Sequence, residues 1–349
     1  MDEEAPEEEH CNKSVIEDFE TACWGCGLRL HLASYAPVFK CGWCGAITDR
    51  NQSVRKPDSV CFSRWRRLRD GFFVGLLFLF IIFVICAGVW AVYPVVFSVS
   101  YFCGVFHCTV TAILSIITIL SFYLAAFRPA GTQANVQWGS YPVVGKGSLE
   151  NYTFCLYCGK PKSPRSHHCR SCKICVLDMD HHCPFIGNCV GAANHRSFIA
   201  FLISVVISCT YVAAMSIYAG YHVWPPLEYK YLTSSRSSSL GAIGTMKLIA
   251  AALADSTLLL SARGLVLIYL AFASSSVEIG ISVLLMQQLL FIYKGNTYIN
   301  SLSSENGGNE ERGCHNLLRF FGCPYSVFKF LLGSANAVKL QQRLSSKLL

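Results

Sequence analysis

Thiols and imidazoles crowd one short stretch of this chain: Cys155, Cys158, His168, Cys169, Cys172, Cys175, His181, His182, Cys183 and Cys189. Cysteines at two-residue spacing, mixed with histidine, are the donor set of a tetrahedral Zn²⁺ site. The stretch holds more donors than one ion can use. An economical partition gives Cys155, Cys158, His168 and Cys175 to one ion, and Cys169, Cys172, His182 and Cys189 to a second. Each ion would be closed by four protein ligands, with no open position to activate water, so both would be structural.

That partition leaves Cys183 and His181 unused, with Asp180 directly before them. A thiol beside an imidazole with a carboxylate behind it is the nucleophile, base and orienter set of thiolate catalysis. His182, locked to metal, would hold the tetrapeptide in one conformation. On spacing alone the alternative stays open that Cys183 or His181 is a spare ligand in a purely structural knuckle.

A second metal signature lies near the start of the chain. Cys23-x2-Cys26 and Cys41-x2-Cys44 are fourteen residues apart, and each pair is followed by a glycine, Gly27 or Gly45. Glycine allows the tight turn that aims two thiolates at one ion. This reads as a small zinc ribbon; the alternative is free or acylated cysteines beside a membrane. His31, between the pairs, reads as an exposed polar residue rather than a ligand.

The elements that must position these groups are hydrophobic. Gly71–Val96, Cys103–Phe127, Phe198–Ala219 and Leu265–Tyr293 each exceed the roughly 20 residues that cross a bilayer core. The first two are joined by a short uncharged connection and form a hairpin. Lys and Arg cluster before the first span (Arg55, Lys56, Arg64, Arg66, Arg67, Arg69) and between the second and third (Arg128, Lys146, Lys160, Lys162, Arg165, Arg170, Lys173, Arg196). The positive-inside rule then places both termini and the Cys/His loop in the cytosol. Reducing conditions there keep the thiols free for metal. Residues 220–264 read as a lumenal loop with a Ser-rich part, Ser234 to Ser239, and a short interfacial helix over Leu248–Leu260. His107 in the second span and Glu278 in the fourth need polar partners inside the bundle. Cys103 and Cys108 read as free thiols, and Cys61, Cys314 and Cys323 as membrane-proximal candidates for acylation.

Composition agrees with a membrane protein. The 349 residues are 53% hydrophobic and 14% charged, against roughly 25% charged in soluble domains. The acidic start, MDEEAPEEEH, lacks the apolar region of a signal peptide. A net charge of +8 reads as membrane topology rather than nucleic-acid binding, because no nucleic-acid motif accompanies it. The 19 cysteines do not read as a secreted disulfide scaffold, which needs a short extracellular chain.

Cys155–Phe198 resembles the DHHC cysteine-rich domain of protein S-acyltransferases. The shared pattern is C-x2-C, then K-x-P-R-S-H-H-C (Lys162 to Cys169), C-x2-C, D-H-H-C (Asp180–Cys183), Pro184, Asn188–Cys189, Gly191, Asn194 and Phe198. With the ribbon ahead of the first span, the chain resembles a plant-like subgroup. The resemblance implies an all-α integral membrane palmitoyltransferase with four transmembrane helices and a cytosolic two-zinc domain between the second and third. It implies that Cys183 carries the acyl group, His181 is the base and Asp180 its orienter. The donor would be acyl-CoA, and the partners membrane-associated proteins with cytosolic cysteines, in the lipid bilayer. Lys160, Lys162, Arg165, Arg170 and Lys173 would be candidates to meet CoA phosphates. The expected organisation is 1–70 with the ribbon, 71–127 as the first hairpin of spans, 128–197 as the zinc domain, 198–293 as the last two spans, and 294–349 as a cytosolic tail. The expected location is the endomembrane system, Golgi or cytoplasmic vesicles, or the plasma membrane.

Two positions depart from the family. Phe185 stands where the family usually has Trp, which removes an indole donor. The family's T-T-x-E motif after the fourth span has Thr297-Tyr298-Ile299-Asn300 as its positional equivalent, with Thr297 and the Tyr298 hydroxyl expected to hydrogen-bond to the Asp180 loop. Ser275-Ser276-Val277-Glu278 is closer in letters but lies inside the span. Asn316 with Phe321-Gly322 resembles the family's aromatic C-terminal motif. A membrane-anchored zinc scaffold or ubiquitin-ligase adaptor has no need of Asp180, His181 and Cys183 together, and a transporter would show an internal repeat.

Overall fold

The structure is a computed structural model that describes residues 20–50, 59–132, 143–224, 243, 246–247, 261–303 and 313–322. Residues 234–239 and 248–260, the acidic start, Arg55, Lys56 and Cys323 lie outside the described residues. The chain divides into two compact units. One takes residues up to Pro57, Gln133–His168 and Lys173–Cys175; the other takes Asp58–Thr132, Cys169–Cys172 and Val176 onward.

The second unit holds the long helices: α1 (Val60–Val99), α2 (Tyr101–Phe127), α3 (His195–Val223) and α4 (Ala262–Tyr293). All four are long and apolar enough to cross a membrane. A helix satisfies each backbone N–H and C=O inside its own segment, which suits apolar sequence to lipid. Phe72, Leu76, Phe83, Ile116, Phe272 and Ile279 are exposed on the outer faces, as lipid-facing positions should be. Ser100 makes the whole connection between α1 and α2. Its backbone is extended, its N–H donates to Val96 O, and its Oγ accepts from Cys103 N–H at 3.4 Å.

The bundle is knitted by polar pairs. Thr118 and Ser208 hydroxyls lie 3.0 Å apart and Ser121 and Ser204 3.1 Å apart, joining α2 to α3. His107 Nδ1 is 3.0 Å from the Tyr211 hydroxyl, and Thr210 Oγ1 donates to Glu278 Oε1 at 2.8 Å. His107 and Glu278 thus have the partners the sequence requires. Such bonds contribute about 0.6 kcal/mol each within a bilayer. They select which helices pair; packing of Phe122, Phe198, Phe201 and Leu202 contributes more.

α1 begins eleven residues before the first predicted span, Val60 against Gly71. Hydropathy ends at the arginines, but Cys61–Asp70 contains no glycine or proline, and Ser59 Oγ caps it by accepting from Phe62 N–H. The 40-residue helix is about 60 Å long, twice the bilayer core. It is therefore long enough for its first turns to extend past a bilayer core.

The metal-ligand regions are not helical. They use three- and four-residue strands: β1 (Glu20–Ala22) with β2 (Arg29–His31), β3 (Val38–Lys40) with β4 (Ile47–Asp49), and β5 (Thr153–Cys155) with β6 (Lys160–Lys162) in the first unit. In the second unit β9 (His181–Cys183) pairs antiparallel with β10 (Asn188–Val190). β7 (Ser166–Cys169) and β8 (Ile174–Leu177) lie between. Two short helices follow α4: α5 (Tyr298–Ser303) and α6 (Cys314–Phe321).

Candidate active site and metal clusters

Three groups of donors converge, and they are the three the sequence partition gives. Cys23, Cys26, Cys41 and Cys44 form one; Cys155, Cys158, His168 and Cys175 a second; Cys169, Cys172, His182 and Cys189 a third. His31 is in none of them. Ligands 2.3 Å (S) or about 2.0 Å (N) from a tetrahedral zinc must lie about 3.5–3.8 Å from one another. The sulfur pairs Cys23–Cys44 and Cys26–Cys41 are 3.6 and 3.7 Å apart, and Cys158–Cys175 is 3.7 Å. His182 Nδ1 lies 3.4–3.6 Å from the sulfurs of Cys169, Cys172 and Cys189. All these cysteines are free thiols. The donors fit zinc.

The β9–β10 hairpin explains why adjacent residues serve two purposes. Side chains alternate across a strand. His182 faces the metal cluster with Cys189, its partner across the ladder, so His181 and Cys183 share the opposite face. Asp180, fully buried, accepts three hydrogen bonds there. His181 Nδ1 is 2.8 Å from its Oδ2, Gln288 Nε2 donates to Oδ2 at 2.9 Å, and the Tyr298 backbone N–H donates to Oδ1 at 2.7 Å. His195 Nε2 is 3.1 Å from Gln288 Oε1, which turns the amide nitrogen toward Asp180.

Electrostatics follow from these contacts. Burial would raise the Asp180 carboxyl, but the donors from His181, Tyr298 and Gln288 outweigh it and hold the group below its ordinary range. Burial would lower His181, yet its bonds to Asp180 and Cys183 raise it to about 9. For Cys183 burial raises the thiol; pairing with His181 and backbone donors at Ile186 and Phe185 wins, and the net shift is downward. A lowered thiol beside a raised imidazole favours a thiolate–imidazolium pair near neutrality. For folding the signs differ: the Asp180 contribution is lost as pH falls through its depressed value, the His181 contribution as pH rises through about 9.

The site is docked onto the helix ends by amides. Asn188 Nδ2 donates to Ala126 O at 3.1 Å and Arg128 O at 2.8 Å, and Asn194 Nδ2 to Ala125 O at 3.2 Å. These are the orphan carbonyls at the α2 C-terminus. Gly191 is forced by crowding: a Cβ there would sit 2.8 Å from Ala130 O.

Cys183, Phe185 and Ile186 open onto a cavity of about 320 Å³ between the four long helices. It runs along α1 from Leu77 to Tyr93 and ends near Tyr93, Thr111 and Tyr211, with apolar side chains between. Sixteen helical steps are about 24 Å. The arrangement can hold a long acyl chain with its reactive end at a thiol.

Residues 148–305 match a family model described as DHHC palmitoyltransferase. These residues, less than half of the chain, are similar to a DHHC palmitoyltransferase domain. The chain is 38% identical over 96 residues to "Palmitoyltransferase ZDHHC16A" of Danio rerio, covering 28% of this chain and 22% of that protein. It is 47% identical over 86 residues to "Probable protein S-acyltransferase 13" of Arabidopsis thaliana, covering 25% of this chain and 28% of that one. Against "Palmitoyltransferase ZDHHC15" of Homo sapiens identity is 44% over 73 residues, 21% of each chain. The chain thus spans between a fifth and three tenths of the length of these relatives.

The segment that follows α4 corrects one expectation. It is the Tyr298 backbone N–H, not its hydroxyl, that bonds Asp180; the ring lies against Phe291 at 5.8 Å and is 39% exposed. Glu278 bonds Thr210 inside the bundle, so the in-span Ser275–Glu278 resemblance is to a different element. Asn316 Nδ2 donates to Tyr293 O at 3.0 Å and ties α6 to the end of α4. Phe185 is half exposed and packs on Phe73 at 5.2 Å. Cys103 and Cys108 are exposed free thiols, as are Cys61 and Cys314.

Sequence reasoning missed Asp70 and Gln288. Asp70 sits where α1 projects: its Oδ2 is 3.0 Å from His182 Nε2, and its Oδ1 takes Arg69 Nη2 at 2.7 Å. With an ion bound this would be a carboxylate–histidine–metal arrangement, in which the carboxylate would fix the tautomer that leaves Nδ1 free to act as a ligand. Asp70→Asn is expected to weaken zinc at the His182 cluster about 10–100-fold. Chelator competition on the purified protein measures this, and an unchanged release profile would contradict the assignment.

Proposed function

We propose that this chain is a protein S-acyltransferase. It takes a long acyl chain such as palmitoyl from acyl-CoA and passes it to cysteines of cytosol-facing, membrane-associated proteins through an acyl-enzyme on Cys183. The observation that carries the reading is a half-buried thiol, paired with an oriented imidazole, in the lining of an apolar cavity.

In the first step the Cys183 thiolate attacks the thioester carbonyl and the bond to CoA sulfur breaks. CoA leaves as a thiolate and takes the proton held on His181. In the second, His181 removes the proton of an acceptor thiol, the new thiolate attacks the acyl-enzyme, and Cys183 leaves as a thiolate. Zinc, when bound, supplies cross-links that hold the hairpins. Asp180 orients His181 and stabilises the imidazolium. In this reading 128–197 and both termini face the cytosol, with 1–70, 71–127, 198–293 and 294–349 as the flanking regions and 220–264 lumenal. The compartment is the endomembrane system, Golgi or cytoplasmic vesicles. Lys160, Lys162, Arg165, Arg170 and Lys173 are our candidates for CoA phosphates, and Cys61 and Cys314 for acylation of the enzyme itself.

A pulse–chase tests the two steps. Purified protein loaded with labelled palmitoyl-CoA and freed of excess donor should lose its hydroxylamine-labile label when a cysteine peptide is added, as the peptide gains it. A peptide labelled only while free acyl-CoA remains would mean direct transfer.

The structure also ranks two substitutions. Gln288→Leu removes a donor to a buried carboxylate, worth about 1.5–3 kcal/mol, so a rate loss of roughly ten- to a hundredfold is expected. Tyr298→Phe keeps its backbone N–H and should stay within about twofold. The opposite ranking would show that the hydroxyl, not the amides, holds Asp180.

A further inference from the structure

The Cys23–Cys26–Cys41–Cys44 cluster lies outside residues 148–305 matched to the family, and acyl transfer leaves it without a task. Its surroundings supply one. Leu149, fully buried, and Val144 pack against the four thiols together with Trp24, Trp43 and Tyr152. The backbones are laced: Leu149 N–H donates to Cys44 O at 2.9 Å, Gly147 N–H to Trp43 O at 2.8 Å, and Asn151 N–H to Gly45 O at 3.0 Å. Ile47 N–H donates to Tyr152 O at 2.7 Å, and the Trp43 indole N–H to Val144 O at 2.9 Å. Two glycines let the segments approach. At Gly25 a Cβ would lie 2.6 Å from Leu149 Cδ1; at Gly45, with φ +81°, it would lie 2.8 Å from Glu150 Cα. A Lys40–Glu150 ion pair closes the rim.

The grasped segment, 143–152, runs directly into β5. Phe154 packs against Trp24 with ring centroids 5.4 Å apart and planes tilted by 48°, and the next residue is Cys155, first donor of the next cluster. We propose that the Cys23/Cys26/Cys41/Cys44 site binds Zn²⁺ and acts as a metal-dependent clamp on 143–154, positioning Cys155 and Cys158 for their own ion. The thiols carry the chemistry: four cysteines at these separations fit a structural zinc, and ligand binding energy there becomes order in whatever is packed on the knuckles. Residues far apart in sequence are thereby coupled through one ion.

The test uses the full-length protein in detergent and reads zinc content and the alkylation rate of each cysteine by peptide mass. In the double variant Cys26→Ser, Cys41→Ser, zinc should fall by at least one equivalent. Cys155 and Cys158 should alkylate about tenfold faster, because local protection follows local stability, while Cys169, Cys172 and Cys189 keep their rates. Gly45→Ala, which retains all four thiols but strains the contact with Glu150, should give the same selective exposure. Loss of zinc from the first site with unchanged rates at Cys155 and Cys158 would overturn the proposal and make the ribbon an independent module. Should the double variant expose every thiol alike, Gly45→Ala decides: selective exposure supports the clamp, while unchanged rates or global exposure sink it. None of these readouts involves acyl transfer, so failure here and failure of the acyltransferase reading are distinguishable.

Discussion

Cys183→Ser protein is expected to form no acyl-enzyme and to transfer nothing, while folding and binding zinc as the parent does. Serine matches the thiol in shape, but its hydroxyl stays protonated where the Cys183 thiol is held below its ordinary value by His181. The loss should be at least about 10³ in rate; deleting an enzymatic nucleophile costs as much as about 10⁶ elsewhere. Folding should survive, because Cys183 belongs to none of the metal clusters and only partly lines the cavity. Zinc content and thermal midpoint serve as controls. An undiminished hydroxylamine-sensitive label on the folded variant would assign the acyl group to another cysteine.

Cys172→Ala should have an effect as large by a different route. Cys172 lies with Cys169, His182 and Cys189, the cluster that holds the β9–β10 hairpin on the face opposite Cys183. Structural zinc contributes about 10–16 kcal/mol in small zinc domains, comparable with the whole 5–15 kcal/mol stability of an ordinary domain. Forfeiting even a third of it should disorder the hairpin. One zinc should be lost, residues 169–190 should become protease-sensitive, and activity should vanish although Asp180, His181 and Cys183 are untouched. A folded, fully metallated Cys172→Ala protein would overturn the ligand partition.

What the sequence made legible was local. C-x2-C spacing specifies a knuckle within a few residues, so the three donor sets could be partitioned by counting, and Cys183 with His181 emerged as the remainder. Four apolar stretches gave the helices of the bundle. What stayed hidden depends on long-range contacts. Gln288 reaches Asp180 across more than a hundred residues, and its one sequence signal, an amide in an apolar span, names no partner. Asp70 stands among four arginines, the pattern of a topogenic flank, and nothing local says that α1 is helical through this stretch and brings it to His182. The Tyr298 hydroxyl is what the sequence offers, whereas the bond to Asp180 comes from a backbone amide, a group every non-proline residue has. Phe185 kept an aromatic contact, with Phe73, but which ring it would meet could not be read from its own neighbourhood.

The central claim is that one thiol, Cys183, carries the acyl group between donor and acceptor. Peptide mapping of the wild-type protein after a single turnover with palmitoyl-CoA tests it most directly, since it reads the position of the acyl group rather than the rate of its passage. A thioester is expected on the peptide containing Cys183, and it should disappear when an acceptor thiol is added. A stable acyl group on Cys61 or Cys314, with Cys183 free throughout transfer, would contradict the claim.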